Sequence, residues 1–269
     1  MQYSLQDLAA RILRAQDTRS LLAPFSSTGL QLSMREAYEV SLLVHEARLK
    51  IGWKPVGRKI GFTNKDMWAL FGVHQPVWSF VYDATCADAD EDTHCLADAL
   101  VQPRIEPEIV LSLRRTPPAG ASAAEVLACV DWVSHSIEMV QCHYPDWKFS
   151  APDAVCDASF HGRLLLGERR LLDGSRSGIE EMLKTCEVSL FRDGELIETA
   201  PGRHALGSPL LAVAALVDAI ALDAPGYPLQ PGELITTGTL TKAYPVKPGE
   251  RWQTHFGNNE FPGLNIEFR

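Results

Sequence analysis

Glu106 and Glu108 flank a proline in the segment RIEPEIVLSL. The alternation of Ile, Val and Leu makes this a strand beginning near Arg104. On a strand, residues two apart face the same side, so both carboxylates project into one space. Like charges that close repel, and burying them without a partner is costly. A divalent cation resolves the conflict, because hard ions such as Mg²⁺ take carboxylate oxygens and keep waters that a substrate can displace. A solvated polar face on an edge strand is the other reading of the same spacing. In either case Pro107, which has no N–H for a ladder, places the stretch at an edge or a bulge. Glu138 lies in SIEMV between apolar neighbours, where an unpaired carboxylate is out of place. It joins the pair as a third ligand, or it takes a salt bridge from Arg104.

Two lysines stand where chemistry is feasible. Lys59 sits in GRKIGFT beside apolar Ile60 and between Gly57 and Gly61. A partly desolvated lysine there serves as a general acid/base or an anion anchor, and the alternative is a surface side chain. Lys148, in DWKFSAPD, offers a second cation with the same alternative. TTGTLT, residues 236–241, brings hydroxyls and a glycine at which a ligand can approach the backbone. His74, His135, His143 and His161 have no HxH or HExxH spacing and read as structural histidines. Ser208 reads as a helix cap, since no GxSxG elbow is present. Neither GxGxxG nor GxxxxGK[ST] follows a strand, so nucleotide chemistry has no support.

These residues need elements to hold them. Leu5, Leu8, Ala9, Ile12 and Leu13 recur at helical spacing, and Ser33 with Glu36 forms a capping box ahead of a second helix ending near Gly52. Beyond residue 57 strands dominate: GRKIGFT, QPVWSFVYDATC, the segment from Arg104, SIEMVQC, FHGRLLLGE, and the pair joined at Asp193-Gly194. Residues 122–133 read as a helix ahead of SIEMVQC. Ser208-Pro209 opens another, and ELITTGTL, PVKPGERWQTHF and LNIEF close the chain as strands. The order argues α+β with an antiparallel or mixed sheet rather than regular βαβ alternation. Residues 1–269 are read as one catalytic domain, with a helical N-terminal segment over about 1–56 and a β-rich core over about 57–269.

The 269 residues carry a formal net charge of −9, with 46% hydrophobic and 22% charged residues. That profile suits a globular chain with a sizeable core and makes sequence-independent nucleic-acid binding a poor expectation. No run is read as approaching the roughly 18 apolar residues that span a bilayer. The amphipathic start MQYSLQDLAARILRAQ is not a signal sequence, so the expected compartment is the cytoplasm. The six cysteines form no CxxC pair and read as buried thiols.

In order, GRKIGFT, FGVHQP, RIEPEIVLSL, IEMV, DWKFSAPDAV and ITTGTLTKAYPVKPGE resemble the hydratase/decarboxylase branch of the fumarylacetoacetate hydrolase superfamily. That branch includes 2-hydroxypenta-2,4-dienoate hydratases and 4-oxalocrotonate (2-oxo-3-hexenedioate) decarboxylases of aromatic meta-cleavage catabolism. The resemblance covers about residues 5–268. It implies a mixed β-roll with a helical N-terminal segment, and Mg²⁺ or Mn²⁺ held by Glu106, Glu108 and Glu138. Lys59 would act as acid/base or substrate contact, with Arg104, Lys148 and Thr239 near a small 2-oxo acid. A homo-oligomer, in some cases joined to a companion pathway enzyme, is also implied.

Two departures bear on the substrate. Hydratases of the branch commonly carry Asp-Phe where this chain has Val77-Trp78, and decarboxylases more often carry an apolar residue there. CDASFHG replaces a DNAS-type sequence, with Ala158 for Asn and an unusual Phe160-His161. The expectation is therefore a metal-dependent lyase leaning to the decarboxylase, with the hydratase as alternative. An acylpyruvate-type hydrolase, or a non-catalytic partner subunit, stands behind these.

Overall fold

The computed structural model describes residues 3–65, 68–89, 93–95, 97–172, 174, 176–258 and 260–269. Two capped helices lead. Ser4 and Asp7 form a reciprocal capping box on α1 (Leu5–Thr18), and Ser33 and Glu36 do the same on α2 (Met34–Lys50). Leu8, Ala9 and Ile12 are buried on α1, as are Ala37, Tyr38, Val40 and Val44 on α2, so the two helices pack on each other and α2 also packs on later helices of the chain.

The sheet that carries the site is built from β1 (Pro55–Gly61), β2 (Val77–Tyr82), β3 (Cys86–Asp88), β5 (Arg104–Leu113), β6 (Val130–Val140), β7 (His161–Leu166), β8 (Arg170–Leu171), β11 (Leu234–Thr236) and β12 (Tyr244–Pro245). Its order is β2-β1-β11-β5-β6-β7-β3, with β12 added to β5 and β8 to β6. A second sheet holds β10 (Glu195–Pro201), β9 (Glu187–Arg192), β13 (Arg251–Phe256), β14 (Asn265–Phe268) and β4 (Thr93–Cys95), in that order. Short helices α3 (Trp68–Phe71), α4 (Ala123–Cys129), α5 (Ala151–Cys156) and α6 (Ile179–Thr185) and the longer α7 (Pro209–Asp223) connect and cover the strands. The class is α+β with a curled mixed sheet, as the order of elements implies. Asp193 and Gly194 both take positive φ, 52° and 84°, the turn that twists correctly between β9 and β10.

Three expectations need correction. Residues 130–133 are strand, not helix: α4 stops at Cys129, and Val130 and Val133 pair into β5 with both side chains buried. Pairing on both sides outweighs local propensity there. Pro107 is not at an edge. It lies inside β5 opposite Ile137, and its carbonyl, facing away from β6, accepts from Leu240 N at 2.9 Å. On that side β5 meets β11 only from Val110 onward and β12 only at residues 104–105, so the missing N–H faces a connecting loop rather than a ladder. Finally, residues 202–223 are long and apolar enough to cross a membrane by length and composition. In this fold the stretch is a core element: Leu210, Val213, Leu216 and Ile220 are buried and α7 packs on α2, α4 and β2.

One buried group gives the fold an acid limit. The His45 ring stacks on Phe80 at 3.6 Å between centroids, and its Nδ1 meets Tyr82 Oη at 2.9 Å. Burial, helped by the Arg58 charge, pushes it down from 6.5 to about 4. The unfolded chain therefore binds the proton first as pH falls below about 6.5, and stability drops until the folded form titrates near 4. Urea midpoints measured between pH 7 and pH 4.5 should fall for the native chain and fall less for His45→Asn. Equal slopes would exclude His45 as a source of the acid lability.

Candidate metal and substrate site

Cross-strand register assembles the acidic cluster. Glu106 stands directly opposite Glu138 on β5 and β6, and Glu108 opposite Ser136. Like charges facing each other across a ladder are destabilising. One carboxylate oxygen from each of Glu106, Glu108 and Glu138 lies within 4.8 Å of the others. Glu108 and Glu138 are fully buried, and Glu106 is half-buried where it meets a cleft. The two buried carboxylates share a pattern. Glu108 Oε2 is held by the Thr236 hydroxyl and by Gly238 N at 2.9 Å, while Oε1 accepts no hydrogen bond among the described residues. Glu138 Oε1 meets His161 Nδ1 at 2.8 Å, while Oε2 pairs with the Lys59 ammonium at 3.2 Å. Hydrogen bonds thus fix one oxygen of each, leaving Glu108 Oε1 bare among the described residues and Glu138 Oε2 with the Lys59 ammonium alone. A buried acceptor left bare costs free energy unless something fills the gap beside it, and a hard cation suits an all-carboxylate donor set.

Lys59 is placed by the same sheet. It is 3% exposed, lies opposite Thr236 on β11, and donates from Nζ to the Ser159 carbonyl at 2.9 Å. Burial alone would push its ammonium down, but Glu138, Glu106 and Glu108 together outweigh burial and raise it. Among the acids, burial raises Glu106 to about 7 against the opposing pull of Lys59. Burial and then the neighbouring glutamates drive Glu108 well above the carboxylate range. Glu138 goes the other way: burial would raise it, yet Lys59 and His161 lower it. Among the described residues one buried lysine faces three acidic groups, and a bound cation would let all three ionise together.

Residues 157–161 deliver two of these contacts through an unusual backbone. Ala158, Ser159 and Phe160 all take left-handed φ, at 50°, 47° and 67°. Such a run costs energy for non-glycine residues and persists only where surroundings enforce it. It turns the Ser159 carbonyl to Lys59 and starts β7 at His161. Gly238 has φ 94°, and a Cβ there would strike the Thr63 side chain, so the close approach of two loops requires glycine.

The cluster opens into a cleft of about 1100 Å³. Four rings line one wall in sequence: Phe62 on Phe71 at 4.8 Å, Phe71 on Phe149 at 5.2 Å and Phe149 on Phe160 at 4.5 Å. Val77, 2% exposed, forms part of the wall. Arg104 lines the cleft, lies over the Trp147 ring at 4.2 Å, and has a buried Nε with no hydrogen-bond partner among the described residues. Thr239 also lines it, with its hydroxyl donated to the Thr241 carbonyl at 3.0 Å. Exposed Lys65, Arg203 and Lys242 stand at the mouth beside Asp146 and Glu198.

Six of the seven residues singled out in the sequence thus share one space. The exception is Lys148, whose side chain is 80% exposed and 3.4 Å from Asp146, while its neighbours Trp147 and Phe149 turn into the cleft. Arg104 does not pair with Glu138, whose cation is Lys59. The residues alone did not mark His161, which reads as merely structural, or the Ser159 carbonyl, whereas Thr236 falls in the TTGTLT segment noted for its hydroxyls. The one available signal was the unusual Phe160-His161 pair. The Ser159 carbonyl acts through backbone placement, which no residue type announces.

A curled mixed sheet, a packed helical front and an acid-lined cleft define an α+β enzyme. No family model matches the chain. Over 217 residues it is 32% identical to the 2-hydroxypent-2,4-dienoate hydratase of Pseudomonas putida, spanning 80% of this chain and 95% of that relative. It is 31% identical over 264 residues to the 2-keto-4-pentenoate hydratase of Paraburkholderia xenovorans, spanning 98% and 94%. Among solved structures, the 4-oxalocrotonate decarboxylase from Pseudomonas putida G7, complexed with magnesium and adipate, superposes with a TM-score of 0.88 at 26% identity over 98% and 97% of the two chains. Fumarylpyruvate hydrolase from Pseudomonas aeruginosa, in complex with Mn²⁺ and pyruvate, shares the fold at a TM-score of 0.55 and 14% identity over 78% and 88%. The chain belongs to the hydratase/decarboxylase branch of the fumarylacetoacetate hydrolase superfamily and is an enzyme of the lyase class.

Proposed function

We propose that this lyase works in the cytoplasm in aromatic meta-cleavage catabolism, as a divalent-metal-dependent decarboxylase of 2-oxo-3-hexenedioate (4-oxalocrotonate). The whole chain would act as one catalytic unit in a homo-oligomer, as the resemblance implies, with association to a companion enzyme as a further expectation of that resemblance. The observation that carries the reading is the convergence of Glu106, Glu108 and Glu138 within 4.8 Å at the head of a cleft, with the buried Glu108 Oε1 left without a hydrogen-bond partner among the described residues. Those residues fit Mg²⁺ or Mn²⁺. Bound there, the ion supplies Lewis-acid stabilisation of the charge that develops on a 2-oxo oxygen.

The chain's own groups account for the rest. Arg104, stiffened against Trp147 and with a buried N–H unpaired among the described residues, is suited to a substrate carboxylate. Thr239 sits within reach of the same end of the cleft. The four-ring wall matches a flat conjugated carbon chain and keeps water from it. When the bond to the far carboxyl breaks and CO₂ leaves, its electron pair delocalises along the conjugated chain. Lys59, held as an ammonium by three carboxylates, returns a proton. The three cations at the mouth favour a dianionic substrate against a net charge of −9.

Hydration of 2-hydroxypenta-2,4-dienoate is the second reading, and the names of the sequence relatives favour it. Apolar Val77 in the wall weighs against it. A hydrolase finds less support, since the His204 Nδ1 at the cleft meets the Leu240 carbonyl rather than a carboxylate. Incubating the protein and Mg²⁺ separately with 2-oxo-3-hexenedioate and with 2-hydroxypenta-2,4-dienoate decides among these. CO₂ release from the first supports the decarboxylase. Turnover of the second alone replaces it with the hydratase, and turnover of neither removes the lyase reading.

A further inference from the structure

His161 is the residue of the cluster whose role the metal reading leaves unexplained. Its side chain is 3% exposed and lies against a fully buried carboxylate. Glu138 Oε2 faces the Lys59 ammonium at 3.2 Å, the pairing of an ionised carboxylate. An ionised carboxylate only accepts, so at 2.8 Å the His161 Nδ1 must be the donor to Oε1. The opposite nitrogen, Nε2, is 2.8 Å from the Thr85 hydroxyl. Thr85 Oγ1 is placed in turn by Tyr82, accepting from its N at 3.3 Å and lying 3.1 Å from its carbonyl, and its single proton is shared between that carbonyl and His161 Nε2. The ring therefore has a partner on each nitrogen and cannot turn without losing both.

The strands are adjusted to allow this contact. The β6–β7 register shifts between Met139 and Val140, so that His161 sits opposite Val140 and reaches diagonally to Glu138. Bulges of this kind re-aim side chains beside active sites. At the next residue, Gly162, a Cβ would lie 2.5 Å from the Met139 carbonyl, so the strands close up directly beside the histidine.

We propose that His161, braced by Thr85, is the positioning residue that makes Glu138 a one-oxygen ligand, holding Oε1 so that Oε2 alone is offered to the cation. This rests on Glu106, Glu108 and Glu138 being the metal-holding set. The device parallels the other buried acid, where Thr236 and Gly238 hold one oxygen of Glu108. Glu138 Oε2 already lies 3.2 Å from Lys59 Nζ; without the histidine, Oε1 too is free to turn to that ammonium, in competition with the ion. Outer partners of metal ligands typically govern affinity by about 10–100-fold.

The test is Mn²⁺ titration of the metal-free full chain, followed by electron paramagnetic resonance, with melting temperatures taken alongside. His161→Asn places an amide N–H where Nδ1 was, whereas His161→Gln places it where Nε2 was. The Asn variant should bind Mn²⁺ within about threefold of the native chain and the Gln variant about 10–100-fold more weakly. Both should melt alike without metal, which a purely structural role would not give. Thr85→Val, at a half-buried position, removes the brace and should weaken binding about threefold or more; it carries the test if the His161 variants fail to fold. Native-like affinity in His161→Gln, or in Thr85→Val where only that variant folds, overturns the proposal and leaves the metal site standing. Absence of Mn²⁺ binding by the native chain overturns the metal reading and this inference with it.

Discussion

Glu108→Gln should abolish measurable Mn²⁺ binding and lower kcat/KM by about 10³-fold or more, while leaving the metal-free protein at least as stable. The two effects separate because Glu108 serves two masters. Its Oε2 is a structural acceptor for Thr236 and Gly238, and a glutamine carbonyl keeps that role. Its Oε1 is bare among the described residues and fully buried, pressed by Glu138 and Glu106. An amide there removes a like-charge clash but offers the ion no anionic oxygen. Isothermal titration with Mn²⁺, steady-state kinetics and urea midpoints read the three quantities. A stable, fully active Glu108→Gln enzyme would show that this carboxylate holds nothing. A large loss of stability in the metal-free variant would show that it is a structural acid.

Lys59→Met should be damaging in both respects. Removing a positioned proton donor costs about 10²–10⁴ in rate. It also strips Glu138 of the cation at 3.2 Å and leaves a fully buried carboxylate beside two others. Breaking one side of a buried pair typically costs about 3–5 kcal/mol. The sign of the metal effect is diagnostic. If the lysine and the ion balance the same carboxylates, Mn²⁺ should restore much of the lost stability of Lys59→Met but not its activity. Retention of more than half the native rate would remove Lys59 from the chemistry. Failure of Mn²⁺ to stabilise the variant would separate the lysine from the metal site.

Much of this arrangement is legible in the residues alone. Spacing of two across Pro107 places Glu106 and Glu108 on one strand face, and the apolar setting of Glu138 marks it as a partnered acid. The capping pairs at Ser33–Glu36 and at Ser208 give helix starts correctly, because a cap depends on residues a few positions apart. What stayed hidden depends on long-range geometry. The β5–β6 register sets Glu106 against Glu138, and nothing local specifies it. Pro107 reads as an edge residue until β11 and β12 are seen to leave a gap beside it. Lys148 has the same residue type as Lys59, but β1 buries one and the turn at 145–147 exposes the other. His161 carries no spacing motif, since its partners Thr85 and Glu138 come from elsewhere in the chain.

The most direct test is a crystal grown with Mn²⁺ and oxalate and measured for the anomalous signal of manganese. The account requires one strong peak among the three glutamates, within about 2.5 Å of an oxygen from each, with oxalate seated on its open side toward Arg104 and Lys59. A peak at any other position, or none among Glu106, Glu108 and Glu138 in saturating Mn²⁺, would contradict it.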